Sequence, residues 1–174
     1  MKQTTVAIGI AVALAGPALS HAEQIQATLI GYEEVPAVST DAGGSFRAMI
    51  NKDNSIDYEL TYSGLQGTIQ QSHIHVAQAG VNGSIVIWLC QTATTPAPAA
   101  VASITPVCPQ AGTVTGHITA DNVIAGSTAS QQLAAGELDE VIAAIRAGVA
   151  YANVHTTPLS PGGEIRGQIN ASNR

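Results

Sequence analysis

The stretch Gln71-Ser72-His73-Ile74-His75-Val76 alternates polar and apolar residues and contains two histidines two positions apart. In a β-strand, successive side chains point to opposite faces of the sheet, so residues i and i+2 share a face. The alternation therefore predicts a strand in which His73 and His75 project together. Ile74 and Val76 project from the other face, which is the apolar side that a core would bury.

A second stretch near the C-terminus, Tyr151-Ala152-Asn153-Val154-His155-Thr156, has the same alternation. Ala152 and Val154 share its apolar face, and Asn153 and His155 share the other. If both strands bury their aliphatic sides, three histidines lie on polar faces. The chemistry expected of the protein depends on whether these two faces meet.

Further alternating segments predict a chain built mainly from antiparallel strands. A hairpin is predicted where residues 46–50 and 56–62 alternate on either side of the turn Asn51-Lys52-Asp53-Asn54. The segment 84–89 is almost continuously apolar, as in a strand covered on both faces. Other strands are predicted at residues 24–30, 68–76, 112–119, 149–156 and 164–169.

Only one segment has the spacing of an amphipathic helix. Within residues 137–147 the apolar side chains recur at i, i+3, i+4 and i+7, and Gly148 follows as a common helix stop. Many short strands with one short helix indicate an all-β, antiparallel sandwich or barrel. Greek-key connections are expected, with the helix packed across one end.

The N-terminus has the organisation of a secretory signal peptide. Lys2 provides a positive charge, an apolar run extends from Val6 to Leu14, and Ser20-His21-Ala22 has the small-x-small pattern of a cleavage site. We therefore predict a signal peptide over residues 1–22 and one domain over residues 23–174. The apolar run is too short to span a bilayer and no later segment qualifies. We expect a periplasmic or secreted protein with no membrane span.

The charge balance excludes one class of partner. The chain has six Lys and Arg residues and twelve Asp and Glu residues, and Lys2 would be removed with the signal peptide. The basic residues form no cluster, so nucleic acid is not an expected partner.

Cys90 and Cys108 are the only cysteines. In an exported protein two cysteines most simply form a disulfide. The bond would close a loop over residues 91–107 that is rich in Thr, Ala and Pro, and we expect little internal order there. A metal site built from Cys and His is the alternative, but nothing near either cysteine has ligand spacing.

Several pieces of the sequence together resemble the CHRD domain, a family named for chordin and widespread in exported bacterial proteins. The resemblance covers nearly all of the predicted domain, and the His-Thr and Pro-Gly-Gly-Glu-Ile-Arg-Gly-Gln block is its most specific part. The matching pieces are Glu34-Val35-Pro36, His73-Ile74-His75, Gly80-Val81-Asn82-Gly83, Gly116-His117-Ile118-Thr119, Tyr151-Ala152-Asn153-Val154-His155-Thr156 and Pro161-Gly162-Gly163-Glu164-Ile165-Arg166-Gly167-Gln168-Ile169.

The resemblance implies a fold and a compartment rather than an activity. It implies an immunoglobulin-like or superoxide-dismutase-like β-sandwich, so a Greek-key sandwich is our expectation. In animal chordins such domains belong to extracellular proteins that bind growth factors. No settled activity is implied for single-domain bacterial members, so function has to be argued from the site. The Cys90–Cys108 loop resembles an insertion on the family pattern.

The sharpest functional hypothesis is a copper or zinc site made from His73, His75 and His155. Imidazole suits both metals, and two strand ligands at i and i+2 need only a third from a neighbouring strand. Glu164 or Arg166, which share a face of the last strand, could support the ligands from behind. The alternative is that the histidines hydrogen-bond loop carbonyls and Glu164 forms a surface ion pair with Arg166. His117 lies in a strand of uncertain register and is not counted as a ligand.

An enzyme is not expected. The chain has no Gly-x-Ser-x-Gly motif and no phosphate-binding glycine loop, and both cysteines are expected to be oxidised. Four histidines outside the signal peptide are too few for the two-metal set of a superoxide dismutase. The second hypothesis is an extracellular protein-interaction or adhesive module without metal, using the loop 91–107. Trp88, Phe46 and four tyrosines are the available aromatic anchors, and most are expected to be buried.

Overall fold

A computed structural model describes residues 22–158 and 162–171. The signal peptide predicted over residues 1–22 lies, apart from Ala22, outside the described residues, and so does Pro161 of the last piece that resembles the CHRD domain. Among the described residues, no helix is both long enough and apolar enough to cross a bilayer.

Nine β-strands and one α-helix are present among the described residues. The predicted hairpin and the predicted helix are both present. The last predicted strand is shortened to residues 165–168, and a two-residue strand that was not predicted follows at residues 170–171. The strands are β1 (Glu23–Ile30), β2 (Gly43–Ile50), β3 (Ile56–Ser63), β4 (Thr68–Val76), β5 (Ser84–Cys90), β6 (Gly112–Ile118), β7 (Ala150–Thr157), β8 (Ile165–Gln168) and β9 (Asn170–Ala171), and the helix α1 is Leu138–Arg146.

All strand pairs are antiparallel, and they form one continuous sheet. The order is β5-β4-β7-β8-β1-β2-β3-β6, with β9 pairing to β1. The two end strands, β5 and β6, contact each other, and an isolated bridge joins Ile87 to Val123 just beyond β6. The sheet is therefore nearly closed into a barrel. This confirms the all-β antiparallel prediction, while the immunoglobulin-like or superoxide-dismutase-like subtype stays a prediction.

Two long connections explain why distant parts of the sequence become neighbours. The chain passes from β3 to β4 across the positions of β6 and β5, and from β6 to β7 across the positions of β5 and β4. These are Greek-key crossings of the near-closed sheet. As a result β7 inserts between β4 and β8, which brings the C-terminal histidine strand beside the central one.

The inner face of the sheet holds one core. In β1 the buried residues Ile25, Ala27 and Leu29 alternate with exposed ones, as the period of two requires. The apolar side of α1, formed by Leu138, Val141, Ile142 and Ile145, packs into the same cluster. The helix thus packs on the core through the apolar face that its sequence periodicity predicted.

Gly116, which weakens the strand prediction for β6, has a packing function. Gly116 lies opposite Tyr58 of β3, and a Cβ at this position would stand 2.5–2.7 Å from atoms of the Tyr58 ring. The missing side chain lets the phenol enter the core, where its hydroxyl donates to the Leu89 carbonyl at 2.6 Å. A local rule of strand propensity is overruled here by tertiary packing.

The disulfide between Cys90 and Cys108 is present, as predicted. The loop between them is more ordered than its composition suggests, because Gln91 organises it. The Gln91 side chain donates to the carbonyls of Ala102 and Thr105 and accepts from the Ala97 backbone. The expectation of little internal order in this loop was wrong.

The disulfide joins two residues that are 18 positions apart in the sequence. It should stabilise the fold by restricting the unfolded chain. We expect Cys90→Ala/Cys108→Ala to lower the free energy of unfolding by about 3 kcal/mol. Urea unfolding of the metal-free chain, before and after reduction, measures this. Reduced wild type and the double variant should match each other. A reduced wild type that keeps its full stability would contradict the prediction.

Candidate metal centre

The pairing of β4 with β7 brings the two polar faces together. In the antiparallel register His73 lies opposite Asn153, His75 lies opposite Tyr151, and Gln71 lies opposite His155. From Gln71 to His75 and from Tyr151 to His155, odd-numbered residues therefore share the outer face of the sheet, while Ile74, Ala152 and Val154 enter the core. The meeting of faces on which the metal hypothesis depended is present.

This outer face is covered by loops rather than by solvent. His73 is 0% exposed, His75 is 6% exposed and His155 is 7% exposed. One cover is the turn at residues 77–83, which carries a hydrogen-bond acceptor for His75. Another is the disulfide loop, where Ala97 and Val101 pack with Trp88 in a small second apolar cluster. The histidines are thus buried without belonging to the core.

The three imidazoles are close enough to share an ion. One ring nitrogen from each of His73, His75 and His155 lies within 4.8 Å of the other two. Nitrogens bound to one tetrahedral ion at 2.0–2.1 Å would stand roughly 3.4 Å apart. The widest separation therefore has to contract by at most about 1.4 Å, which rotations of the rings can supply.

His75 is held in the tautomer that a metal ligand needs. Its Nδ1 lies 3.0 Å from the Gly83 carbonyl oxygen, which can only accept a proton, so Nδ1 is the donor. Burial lowers the pKa of His75 to about 4; the Gly83 contact opposes this shift, and the charges of His155 and Arg166 add to it. The neutral ring therefore presents the lone pair of Nε2, which is buried and has no hydrogen-bond partner. A backbone carbonyl behind the ring is the usual support of a metal-bound histidine.

His73 is the least satisfied polar residue of the cluster. Both of its ring nitrogens are buried and neither has a hydrogen-bond partner. Burial, followed by the neighbouring His155 and His75, lowers its pKa well below the ordinary value. Buried polar groups without partners cost stability and are uncommon in folded proteins. Within the described ranges, every buried side-chain polar atom without a partner lies in this cluster or on adjoining Glu34 and Asn153.

Aromatic rings enclose the imidazoles. Trp88 meets His73 edge-on with ring centroids 4.4 Å apart, and Tyr151 stacks on His75 with centroids 4.6 Å apart and planes within 4°. Trp88 reaches this face because the register between β4 and β5 shifts twice, between Ser72 and His73 and again between Ile74 and His75. Such bulges redirect side chains relative to a regular strand.

Arg166 holds the covering turn in place. Its guanidinium is 1% exposed and donates to the Gln78 and Val81 carbonyls and to Asn82 Oδ1 at 2.9–3.3 Å. Its Cζ also lies 3.3 Å from the centroid of the Tyr151 ring, in a cation–π contact. Because the same turn carries the Gly83 carbonyl, Arg166 supports His75 indirectly.

Glu164 does not form the surface ion pair with Arg166 that was the alternative prediction. Neither Glu164 nor Arg166 is on the surface, since each is 1% exposed. The Glu164 carboxylate accepts from the hydroxyls of Thr40 and Thr156 and from the backbone of Gln66 and Gly67. Burial alone would raise its pKa, but these hydrogen bonds together lower it below the ordinary value. Glu164 therefore anchors the segments that lead into β2 and β4.

Glu34 is a carboxyl whose burial the sequence did not indicate. It is 5% exposed, and its Oε1 has no hydrogen-bond partner. Burial raises its pKa to about 7, although the charge of Arg166 and contacts with Val35 and Asn153 oppose the rise. Glu34 thus adds an acidic group with a perturbed pKa beside the cluster.

A family model of the CHRD domain matches residues 25–169. The chain belongs to the CHRD domain family. The match runs from β1 to the residue before β9 and includes all three clustered histidines. No curated protein and no solved structure matches the chain.

His117 of this CHRD domain lies away from the cluster. It pairs through Nδ1 with Asp57 at 2.7 Å, and both side chains are more than half exposed. The decision to leave His117 out of the ligand set agrees with this position, and His117 becomes a natural control for experiments on the other three.

The sequence alternation placed Asn153 on the face of His155, but two other neighbours of the histidines were missed. Tyr151 could have been found, because it alternates with Asn153 and His155 and so shares their face. Trp88 could not, because its orientation depends on the irregular register of β5.

His73 and His75 should differ in their effect on the metal-free CHRD domain. We expect His73→Leu to raise the free energy of unfolding by about 1 kcal/mol or more, because it removes two buried nitrogens that lack partners. His75→Leu should lower it by about 1 kcal/mol, because the Gly83 carbonyl loses its donor. Urea unfolding in the presence of a chelator compares them. Equal losses in both variants would indicate that His73 has a structural role.

Glu164→Gln should destabilise the domain by about 2 to 3 kcal/mol, because an amide cannot accept from all four donors. The folded-state pKa of Glu164 is lowered, so its contribution is full above the ordinary value near 4.5 and is lost as pH falls through the folded value. The difference in the free energy of unfolding between wild type and variant should therefore shrink as pH falls. Unfolding curves of both proteins at neutral and at acid pH measure it. A difference that persists at low pH would speak against this role.

Proposed function

We propose that this CHRD domain is an exported, non-catalytic protein that binds one copper or zinc ion through His73, His75 and His155. The observation that carries the proposal is the presence of three buried imidazoles within 4.8 Å, with the lone pairs of two of them unused. A binding ion would take up the polar atoms that otherwise cost stability.

The donor set fits these metals. Three neutral nitrogens leave one position for water or another group around a tetrahedral zinc ion, and imidazole is also a ligand of copper. The support behind His75 fits as well, since Arg166 fixes the turn whose carbonyl fixes the ring. We assign Arg166 this positioning role, and Glu164 the anchoring of the strand entry beside it.

Three considerations support a binding role rather than an enzymatic one. The clustered histidines are at most 7% exposed, so an organic substrate would have no direct access to them. Both cysteines are in a disulfide and offer no thiolate. The fourth histidine outside the signal peptide, His117, is bound to Asp57 instead of extending the cluster toward a dismutase site.

Export is part of the proposal. The signal-peptide pattern at residues 1–22 and the disulfide together support a periplasmic or secreted location. The Greek-key crossings likewise support the immunoglobulin-like or superoxide-dismutase-like class that the family resemblance implies.

An extracellular protein-interaction module is the second candidate. Ile104 and Val107 of the disulfide loop are 46% and 75% exposed, so this insertion presents apolar side chains to solvent. Trp88, the strongest potential anchor, is buried against His73 and is not available to a partner.

Metal titration of the exported chain tests the main proposal. Trp88 is the only tryptophan and its ring lies 4.4 Å from His73, so Cu(II) bound at the cluster should quench its fluorescence strongly. We expect saturation at one ion per chain for wild type, the same for His117→Ala, and loss of the response in His73→Ala/His155→Ala. Circular dichroism checks that the double variant is folded.

Equal binding by wild type and the double variant would remove these ligands from the proposal. If folded wild type binds neither copper nor zinc, the interaction module becomes the better explanation, and a pull-down from the exporting host would be the next measurement.

A further inference from the structure

The charge around the cluster points to the class of ion it holds. Among the described residues, the one group of three or more His, Cys, Asp or Glu side chains close enough to share a metal ion is His73, His75 and His155. The ligand set therefore contains no carboxylate and no thiolate, and three neutral imidazoles have a formal charge of zero.

The nearby charged groups do not supply a free negative charge. The two oxygens of Glu164 are engaged by four donors on other segments. Glu34 interacts electrostatically with Arg166, and the guanidinium of Arg166 is close enough to lower the pKa of His75. Trp88, Tyr151 and Asn153 also lie beside the cluster, and their side chains are neutral.

A buried, neutral ligand set discriminates between cations by charge. The solvation cost of moving an ion into a low-dielectric site grows with the square of its charge, so it is roughly four times larger for a divalent ion than for a monovalent ion of equal radius. Divalent ions at buried sites normally offset this cost with anionic ligands or bound water. Here aromatic rings border His73 and His75, and the described residues place no carboxylate or thiolate among the ligands.

We propose that the His73–His75–His155 cluster takes a monovalent soft cation, Cu(I), in preference to Cu(II) and Zn(II). This inference rests on the proposed metal-binding function and specifies the oxidation state of the bound copper ion. Three neutral nitrogen donors are a sufficient shell for Cu(I), whereas Zn(II) requires a fourth ligand inside the closed face.

Competition with chelators tests the preference. Cu(I) is supplied anaerobically against a colorimetric Cu(I) chelator, Ag(I) serves as a redox-inert monovalent probe, and Zn(II) and Cu(II) are measured against chelators of their own. The exported full chain is expected to bind Cu(I) and Ag(I) at one per chain. The reduction potential of the copper-loaded chain should lie above that of aqueous copper, because the cluster stabilises the reduced ion.

Asn153 offers a matched test of the charge argument. It lies opposite His73, it is 1% exposed, and its Oδ1 has no hydrogen-bond partner. Asn153→Asp keeps the shape and adds one negative charge without removing a ligand. We expect it to shift the ratio of Zn(II) to Cu(I) affinity toward Zn(II) by roughly tenfold or more at pH 8, since the added attraction acts on twice the charge. Asn153→Leu should leave the ratio unchanged.

The outcomes separate this inference from the proposed function. If binding depends on the three histidines but Zn(II) or Cu(II) is held more tightly than Cu(I), the Cu(I) preference is overturned. The proposed metal site is then retained. An unchanged affinity ratio in folded Asn153→Asp, checked by circular dichroism, overturns the charge argument. If no ion binds through the three histidines of the cluster, both proposals are overturned.

Discussion

The antiparallel pairing of β4 with β7 is the contact on which the candidate site depends. These strands are separated by about half of the chain, and the pairing requires β7 to insert between β4 and β8. A one-residue slip in this register would turn every histidine of one strand into the core. The aliphatic residues on the inner face, above all Ile74, Ala152 and Val154, oppose such a slip because they would become exposed. The hydrophobic core therefore fixes the position of the polar cluster on the opposite face.

The cluster is maintained against its own cost. Buried imidazole nitrogens without partners destabilise a fold, and here they are concentrated in one place among the described residues. The surrounding structure compensates through well-satisfied groups. Arg166 donates to three acceptors of the covering turn, and Glu164 accepts from four donors. This combination of satisfied buried charges and unsatisfied imidazoles is the arrangement on which the proposed metal site rests.

The two loops that cover the cluster have different relations to the family. The turn at residues 77–83 contains the Gly80-Val81-Asn82-Gly83 piece of the CHRD resemblance and contacts His75 and Arg166 directly. The disulfide loop resembles an insertion, yet it packs on Trp88 and so completes the wall beside His73. The two aromatic neighbours of the histidines are therefore positioned in different ways. Tyr151 is in β7 together with His155, while the orientation of Trp88 depends on the register shifts of β5, the strand that precedes the disulfide loop.

Sequence alone determined the strand content, the amphipathic helix, the disulfide and the set of side chains that share a face, because each follows from local period or from composition. It also supplied the family, through pieces distributed along the chain. Closure of the sheet, the β4–β7 neighbourhood, the outward turn of Trp88, the burial of Glu34 and the burial of the histidines under loops were decided only by tertiary structure. These features depend on contacts between residues far apart in sequence, and local alternation contains no information about which strand lies beside which or what covers its outer face.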